Sequence, residues 1–526
     1  MIRSLLAGLA ALLLISAAAP GWAADDDSDT PAAADKKDSQ EDKIDAATAR
    51  PPITEAPVTT THTITVRGAP MTYKATAGTL TIRDEEGKPI ASLFYVAYTL
   101  PPGKAGLAKR PLTFLYNGGP GSSSVWLHMG SIGPMRMRTA SPGATGPAPY
   151  AFAPNDDTLL DKTDLVFIDA IGTGYSRALG KTDPKTFWGV DQDADAFAKA
   201  IARYISLNGR GNSPKFLFGE SYGTTRSAAL SYVLHQRGID LNGVILLSSW
   251  LNTVLTDPGF DLNYVECLPS YAANAWYHDK LASKPADLPA YLAEVRAFAQ
   301  GPYADALYKG QDISPEAFDA VAAKVAAYTG LSVEFVKRCK LRIDLDRFRK
   351  ELLRDRGQII GRFDGRFLGV DQDTAGEAPS YDPSDTGIGG AFIAAAGDYI
   401  NNDLNYKTDL DYRPDDDKIG DSWDFHHALI NGGGQKSNEA AVALDLGQTL
   451  RENPHMKVLS LNGWFDLATP FFETEYDLSH MLLDPASRAN LSFAYYPSGH
   501  MVYLNPDALK QLRVDVGRFY DMAAPQ

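Results

Sequence analysis

"KFLFGESYGTTRSAALSYVLHQRG", residues 215–238, is the stretch around which the rest of the chain can be arranged. Its opening is a short apolar run that ends at Gly219, which reads as a buried strand. From Thr224 onward the pattern is helical, and Gly238 stands where such a helix closes. Gly219-Glu220-Ser221-Tyr222-Gly223 must therefore turn a strand into a helix within a few residues. Glycines on both sides permit the close packing that a sharp, strained turn needs, and the turn holds the Ser221 hydroxyl out at the end of the sheet. A helix N-terminus also favours developing negative charge. Ser221 is accordingly a candidate nucleophile.

The flanking sequence repeats the alternation. "PLTFLYNGG" (111–119), "DLVFIDAIG" (164–172) and "GVILLSS" (243–249) are short buried runs. "VDQDADAFAKAIARYI" (190–205) has helical periodicity with acids in its first turn. Upstream, "HTITVRG" (62–68), "MTYKATAGTLTIRD" (71–84) and "ASLFYVAYTL" (91–100) alternate apolar and polar residues and predict antiparallel strands at a sheet edge. The rhythm resumes with "KVLSLNG" (457–463), "LSFAYYPSG" (491–499) and a last helix begun by Asn505 as cap and Pro506 at its first position. Strands alternating with helices imply an α/β fold with a mostly parallel central sheet covered by helices on both faces. Between 251 and 425 the rhythm lapses. Helical segments such as "PADLPAYLAEVRAFAQG" (285–301) and "SPEAFDAVAAKVAAYTG" (314–330) are separated by long polar loops, as in an inserted, largely helical cap. The expected organisation is thus a core from 61 to 250, a cap from 251 to 425, and a second part of the core from 426 to 526.

Residues 1–23 are set apart from this. One basic residue, Arg3, precedes an apolar run from Leu5 to Ala19, and Gly21 and Ala23 occupy the small positions of a signal-peptidase site. The apolar run is shorter than the roughly 20 residues that span a bilayer. The reading is export, to the periplasm or the extracellular space, with no stable membrane insertion after cleavage. Residues 24–60 are acidic, rich in Ala and Pro and free of aromatics, the composition of a disordered linker. With 50 Lys and Arg against 65 Asp and Glu, the net charge of −15 argues against nucleic acid as a partner. The only two cysteines, Cys267 and Cys339, are a candidate disulfide in an exported chain.

A serine hydroxyl needs a base to take its proton. In a sheet of this kind the partners follow in the order Ser, acid, His, and emerge from strand-end loops. His500 follows the strand of "LSFAYYPSG", and Asp466 follows "KVLSLNG". His480, in helical surroundings, is a structural histidine. The oxyanion donors would be the backbone N–H of Tyr222 and one from the glycine-rich loop "NGGPGSSS" (117–124). That loop lacks the Lys-Ser/Thr ending of a phosphate-binding loop. "DQDADAF" (191–197) and "DQDTAGE" (371–377) imitate a calcium loop without its turn residue or its terminal glutamate in register. The adjacent His426 and His427 lack the spacing of a metal pair. No metal or organic cofactor is called for.

"NGGPGSSS" (117–124), "FIDAIGTGYS" (167–176), "GESYGTTRS" (219–227), "NGWFDLATP" (462–470) and "SGHMVYL" (498–504), in that order, resemble the serine carboxypeptidase family of α/β-hydrolases, in the form of a bacterial-type exported member. The resemblance implies Ser221 as nucleophile, His500 as general base and acid, Asp466 as its orienting carboxylate, and Gly119 and Tyr222 as the oxyanion hole. It also implies that Asn117, Gly118 and a protonated Glu220 bind the C-terminal carboxylate of a peptide substrate. Three positions depart from the family: Leu115 replaces a tryptophan, Ser122 a cysteine, and Ser131 a second glutamate. These bear on carboxylate recognition, for which Arg136 or Arg138 is a substitute, and leave the triad untouched. An esterase or acyltransferase using the same triad, and a non-catalytic binding protein, are the alternative readings.

Overall fold

A computed structural model describes residues 55–101, 106–256, 260–430 and 432–524. The proposed leader and all but the end of the linker lie outside these residues. The linker's expected limit at residue 60 is too late. Strand β1 (Val58–Val66) is already paired with β2 (Ala69–Arg83). Ahead of it, the Glu55 carboxylate accepts the Thr81 N–H at 2.6 Å and Arg203 Nε at 2.7 Å. A distant cation, invisible to local composition, orders this segment.

The other strands of the main sheet are β3 (Pro89–Thr99), β4 (Leu112–Tyr116), β5 (Asp164–Ile168), β6 (Lys215–Ser221), β7 (Gly243–Ser249), β8 (Lys457–Gly463) and β9 (Leu491–Tyr496). They are hydrogen-bonded in the order β1-β2-β3-β5-β4-β6-β7-β8-β9, and the short strand Arg177–Ala178 pairs beside β3. β1, β2, β3 and β5 meet antiparallel, and every later pairing is parallel. β4, β5 and β7 are buried along their whole length, as strands covered on both faces must be. Helices α1 (Val125–Gly130), α2 (Val190–Leu207) and α3 (Tyr222–Gln236) follow β4, β5 and β6. This is the α/β-hydrolase architecture.

The chain between β7 and β8 leaves the sheet and forms a run of helices. The first, α4 (Leu262–Tyr277), packs on α6 (Phe471–Ser479), with α5 (Ala443–Glu452) lying between them in the chain. The insert has its own apolar core, which includes Leu268, Leu292, Val325 and Phe348 and is continuous with Trp464, Phe465 and Phe471 after β8. The final helix, α7 (Pro506–Ala523), is capped by the Asn505 side chain, which accepts the Asp507 N–H. Cys267 and Cys339 are free, contrary to the disulfide expected of them. Cys267 is buried on α4 with its Sγ donating to Asn263 Oδ1, whereas Cys339 is half-buried near Arg347, so each thiol belongs to a different environment.

Two buried polar clusters sit in this frame. Arg226 on α3 is 1% exposed. Its Nε donates to Asp193 Oδ2 at 2.6 Å, its Nη1 to the Asn117 carbonyl at 2.7 Å, and its guanidinium lies 4.2 Å from the Phe197 ring centroid. The second cluster holds Glu266 on α4 with Glu473 and Asp477 on α6, all buried. Both Glu266 oxygens lack a hydrogen-bond partner among the described residues. Burial, and then the charge of Asp477, pushes Glu266 up to about 9, and burial pushes Asp477 to about 7.

Replacing one partner of a buried ion pair leaves the other charge uncompensated, so Arg226→Ala should lower the unfolding free energy by about 3–5 kcal/mol. Urea denaturation reads this directly, and a loss within experimental error would show that the pair is dispensable. The acidic cluster gives the opposite pH trend from ordinary ion-paired carboxylates. Its folded-state pKa values lie above the unfolded ones, so its stabilising contribution is complete in acid and is lost as pH rises through about 7 and then about 9. Glu266→Gln should flatten this alkaline decline in a series of urea titrations from acid to alkaline pH.

Candidate active site

β6 ends in the turn anticipated from the glycines. Ser221 has φ +61° and ψ −132°, a backbone region that costs a side-chain-bearing residue about 1–3 kcal/mol. A Cβ on Gly219 would lie 2.0 Å from the Gly223 carbonyl oxygen, so the strand can meet the incoming helix only as glycine. The loop after β4 closes against the same turn: a Cβ on Gly118 would be 2.4 Å from the Tyr222 nitrogen. The Gly118–Gly119 backbone is thereby brought against the first turn of α3. Asn117 and Gly223 are also in close contact, and Arg226 holds the Asn117 carbonyl from beneath.

His500 and Asp466 arrive from the ends of β9 and β8. His500 Nδ1 and Asp466 Oδ2 are 2.8 Å apart, and both residues are buried. The carboxylate is held in place by the N–H groups of Ala468 and Thr469 at 2.8 and 3.0 Å and by the Thr469 hydroxyl at 2.8 Å. The His500 backbone is pinned twice, its N–H donating to the Phe363 carbonyl and its carbonyl accepting Ser248 Oγ, each at 2.6 Å. Burial acts to lower the basicity of His500. The charge and hydrogen bond of Asp466, with Glu220 behind them, outweigh it and hold the imidazole above its ordinary pKa.

Glu220 is 1% exposed. Tyr503 OH donates to its Oε1 at 3.2 Å, while Oε2 has no partner among the described residues. Burial pushes this carboxyl up to about 7, against the pull of His500 and of hydrogen bonds from Tyr503 and Asn117. Asn117 Oδ1 is occupied by the Leu127 N–H at 2.8 Å, which leaves its amide NH2 for the Glu220 side. A cavity of about 560 Å³ is lined by Asn117, Gly118, Gly119, Glu220, Ser221 and His500 together.

Of the substitutes proposed for carboxylate binding, neither arginine reaches this cavity; Arg136 instead donates to the Tyr503 carbonyl. The Ser131 hydroxyl is buried and bonded to the Leu127 carbonyl, turned into its own helix. His427 lies between Asp191 at 2.7 Å and Asp445 at 2.9 Å, an internal clamp away from the cavity. Several residues of the site had escaped sequence reading. Thr469 and Tyr503 sit within quoted motifs but carry no signal of their own. Arg362 and Phe363, from the insert, line the cavity on the His500 side, and no local pattern marks them.

A model of the family described as "Serine carboxypeptidase" matches residues 67–280, which include the Asn117 loop and the Ser221 turn. Over that stretch the chain is similar to the serine carboxypeptidase family. It is 30% identical over 176 residues to the "Serine carboxypeptidase-like 51" protein of Arabidopsis thaliana, a match covering 32% of this chain and 36% of that one. It is 26% identical over 190 residues to the "Retinoid-inducible serine carboxypeptidase" of Rattus norvegicus, covering 33% and 39%. The matches therefore span well under half the length of these relatives. Among solved structures, Kex1(Δ)p, a prohormone-processing carboxypeptidase from Saccharomyces cerevisiae, superposes with a TM-score of 0.52 at 15% identity over 85% of this chain and 91% of that one. That likeness is one of fold. Among the described residues, no helix is long and apolar enough to cross a membrane.

The electrostatics around His500 can be checked without a substrate. Asp466→Asn removes the charge that opposes burial, so the His500 pKa, followed by NMR, should fall from above its ordinary value to below it. An unchanged titration would mean that Asp466 does not govern the imidazole.

Proposed function

We propose that this protein is a serine-type carboxypeptidase that removes C-terminal residues from peptides through an acyl-enzyme. The observation that carries the reading is Glu220: a buried carboxyl with an unpartnered oxygen, next to Ser221 and facing the same cavity. An unpartnered buried carboxyl is costly unless something binds it. Held at about 7, it is largely protonated in mild acid and can donate to a carboxylate, which an ionised glutamate would repel. Asn117 and the Gly118 N–H complete a receptor for the peptide's C-terminus.

In this scheme Ser221 Oγ attacks the scissile carbonyl while His500 Nε2 takes its proton, and Asp466 orients Nδ1 and stabilises the imidazolium. The N–H groups of Gly119 and Tyr222 receive the oxyanion. His500 then protonates the leaving amine, the C-terminal residue departs, and water releases the acyl group by the reverse sequence. Export, proposed from residues 1–23, would put the enzyme where peptides from outside the cytoplasm are met.

The test is hydrolysis of blocked dipeptides, free acids against their amides, from about pH 4 to about pH 9. The substrate carboxylate stays ionised across most of that range. Free acids should be preferred, and Ser221→Ala should reduce turnover by at least about 10⁴-fold. Because the Glu220 carboxyl is neutral below about 7 and charged above it, kcat/KM for free acids should fall on the alkaline side. Glu220→Gln, which cannot ionise, should abolish that decline. Amides or esters cleaved as fast as the acids would replace this reading with an esterase or acyltransferase on the same triad.

A further inference from the structure

Of the described residues that line the cavity, Arg362 is the one lysine or arginine. The other ionisable side chains there, His500 apart, are acids, so Arg362 is the one place on the wall where a substrate anion meets a fixed positive charge. Its side chain is exposed, its guanidinium lies 5.4 Å from the centroid of the Phe363 ring, and it makes no hydrogen bond or ion pair among the described residues. The Phe363 and His500 ring centroids are in turn 5.2 Å apart. The positive charge of Arg362 reaches His500, whose protonation it opposes. A free guanidinium beside the triad is a planar fork of donors matched to a carboxylate.

The backbone beneath this free head is fixed from two directions. The Arg362 carbonyl accepts the Leu467 N–H at 3.1 Å, and the Phe363 carbonyl accepts the His500 N–H at 2.6 Å. From the insert, the Asp382 carboxylate accepts the N–H groups of Arg362 and Phe363 at 3.0 and 3.2 Å. Asp382 is the anion felt most strongly by Arg362, yet its oxygens are taken up by this backbone and it lies 3.9 Å from Arg349. Through Leu467, Arg362 belongs to the wall made by Ala468 and Thr469, the loop of the triad acid. Asn117 stands on another wall, that of the glycine loop, which Ser122 ties to Asp415 of the insert. A peptide with its terminal carboxylate at Asn117 and its scissile carbonyl at Ser221 continues, through its acyl residues, away from Asn117. Resting on the carboxypeptidase reading above, we propose that Arg362 binds the carboxylate side chain of the substrate's penultimate residue, so that the enzyme favours peptides with glutamate or aspartate just before the residue it releases.

The experiment compares kcat/KM for N-blocked Glu-Leu and Gln-Leu as free acids at about pH 6.5, where the glutamate side chain is ionised. The two differ in charge and hardly in shape. Glu-Leu should be preferred by about fivefold or more. Arg362→Gln, which leaves the backbone hydrogen bonds in place, should bring the ratio to about one, and Arg362→Glu should make N-blocked Lys-Leu better than Glu-Leu. These ratios do not depend on how much of a variant is folded, because both substrates report on the same molecules. The α-ethyl esters of N-blocked glutamate and glutamine, which have no terminal carboxylate, should show the same preference and the same loss. Equal cleavage of Glu-Leu and Gln-Leu by the unaltered enzyme, or a ratio unmoved in both variants, would overturn the proposal. If the two free acids then weaken together while the esters do not, the guanidinium holds the terminal carboxylate instead. Free acids cleaved no better than their amides would remove the carboxypeptidase reading separately, since the ester pair still reports on Arg362.

Discussion

The interior position of Arg226 is the constraint from which the site follows. A guanidinium without water must find its partners in the protein. Here the partners are a carboxylate on α2 and the carbonyl of the residue that opens the glycine loop. One side chain on α3 therefore fixes the distance from the helix behind Ser221 to the loop in front of it. The strained turn at Ser221 and the glycines that relieve its crowding work only if that distance is kept.

Around this frame the same functional group meets three environments. Asp466 receives two backbone N–H groups and a hydroxyl. Glu220, beside the Tyr503 phenol and the Asn117 amide, is otherwise wrapped in protein, which favours its acid. Glu266, with neither oxygen satisfied, is carried furthest toward the neutral form. The two carboxyls with the fewest donors, Glu220 and Glu266, are the ones that burial carries toward the neutral form, and no new residue type is needed to build the difference.

Much of this was readable before any coordinates. The parallel strands and the turn at Ser221 declare themselves through apolar runs ended by glycine, and Asp466 and His500 stand out because each follows such a run. What escaped depends on contacts between distant parts of the chain. Arg362 and Asp385 look like ordinary surface charges until the insert folds them over the cavity. The early end of the linker rests on one Glu55–Arg203 pair whose members are 148 residues apart. The expected Cys267–Cys339 bridge failed because pairing is a matter of geometry, and the count of cysteines carries none.

The insert does more than roof the cavity. The Phe363 carbonyl takes the His500 N–H, and the Arg362 carbonyl takes the Leu467 N–H, so the loops bearing the histidine and its acid are both hung from it. Ser221 precedes this insert in the chain, and Asp466 and His500 follow it. On the proposed chemistry, a polypeptide emerging from the ribosome therefore exposes its nucleophile long before the base that would activate it, and the scaffold for that base is laid down in the interval. The proposed triad is thus completed only after the insert that holds two of its members has been made.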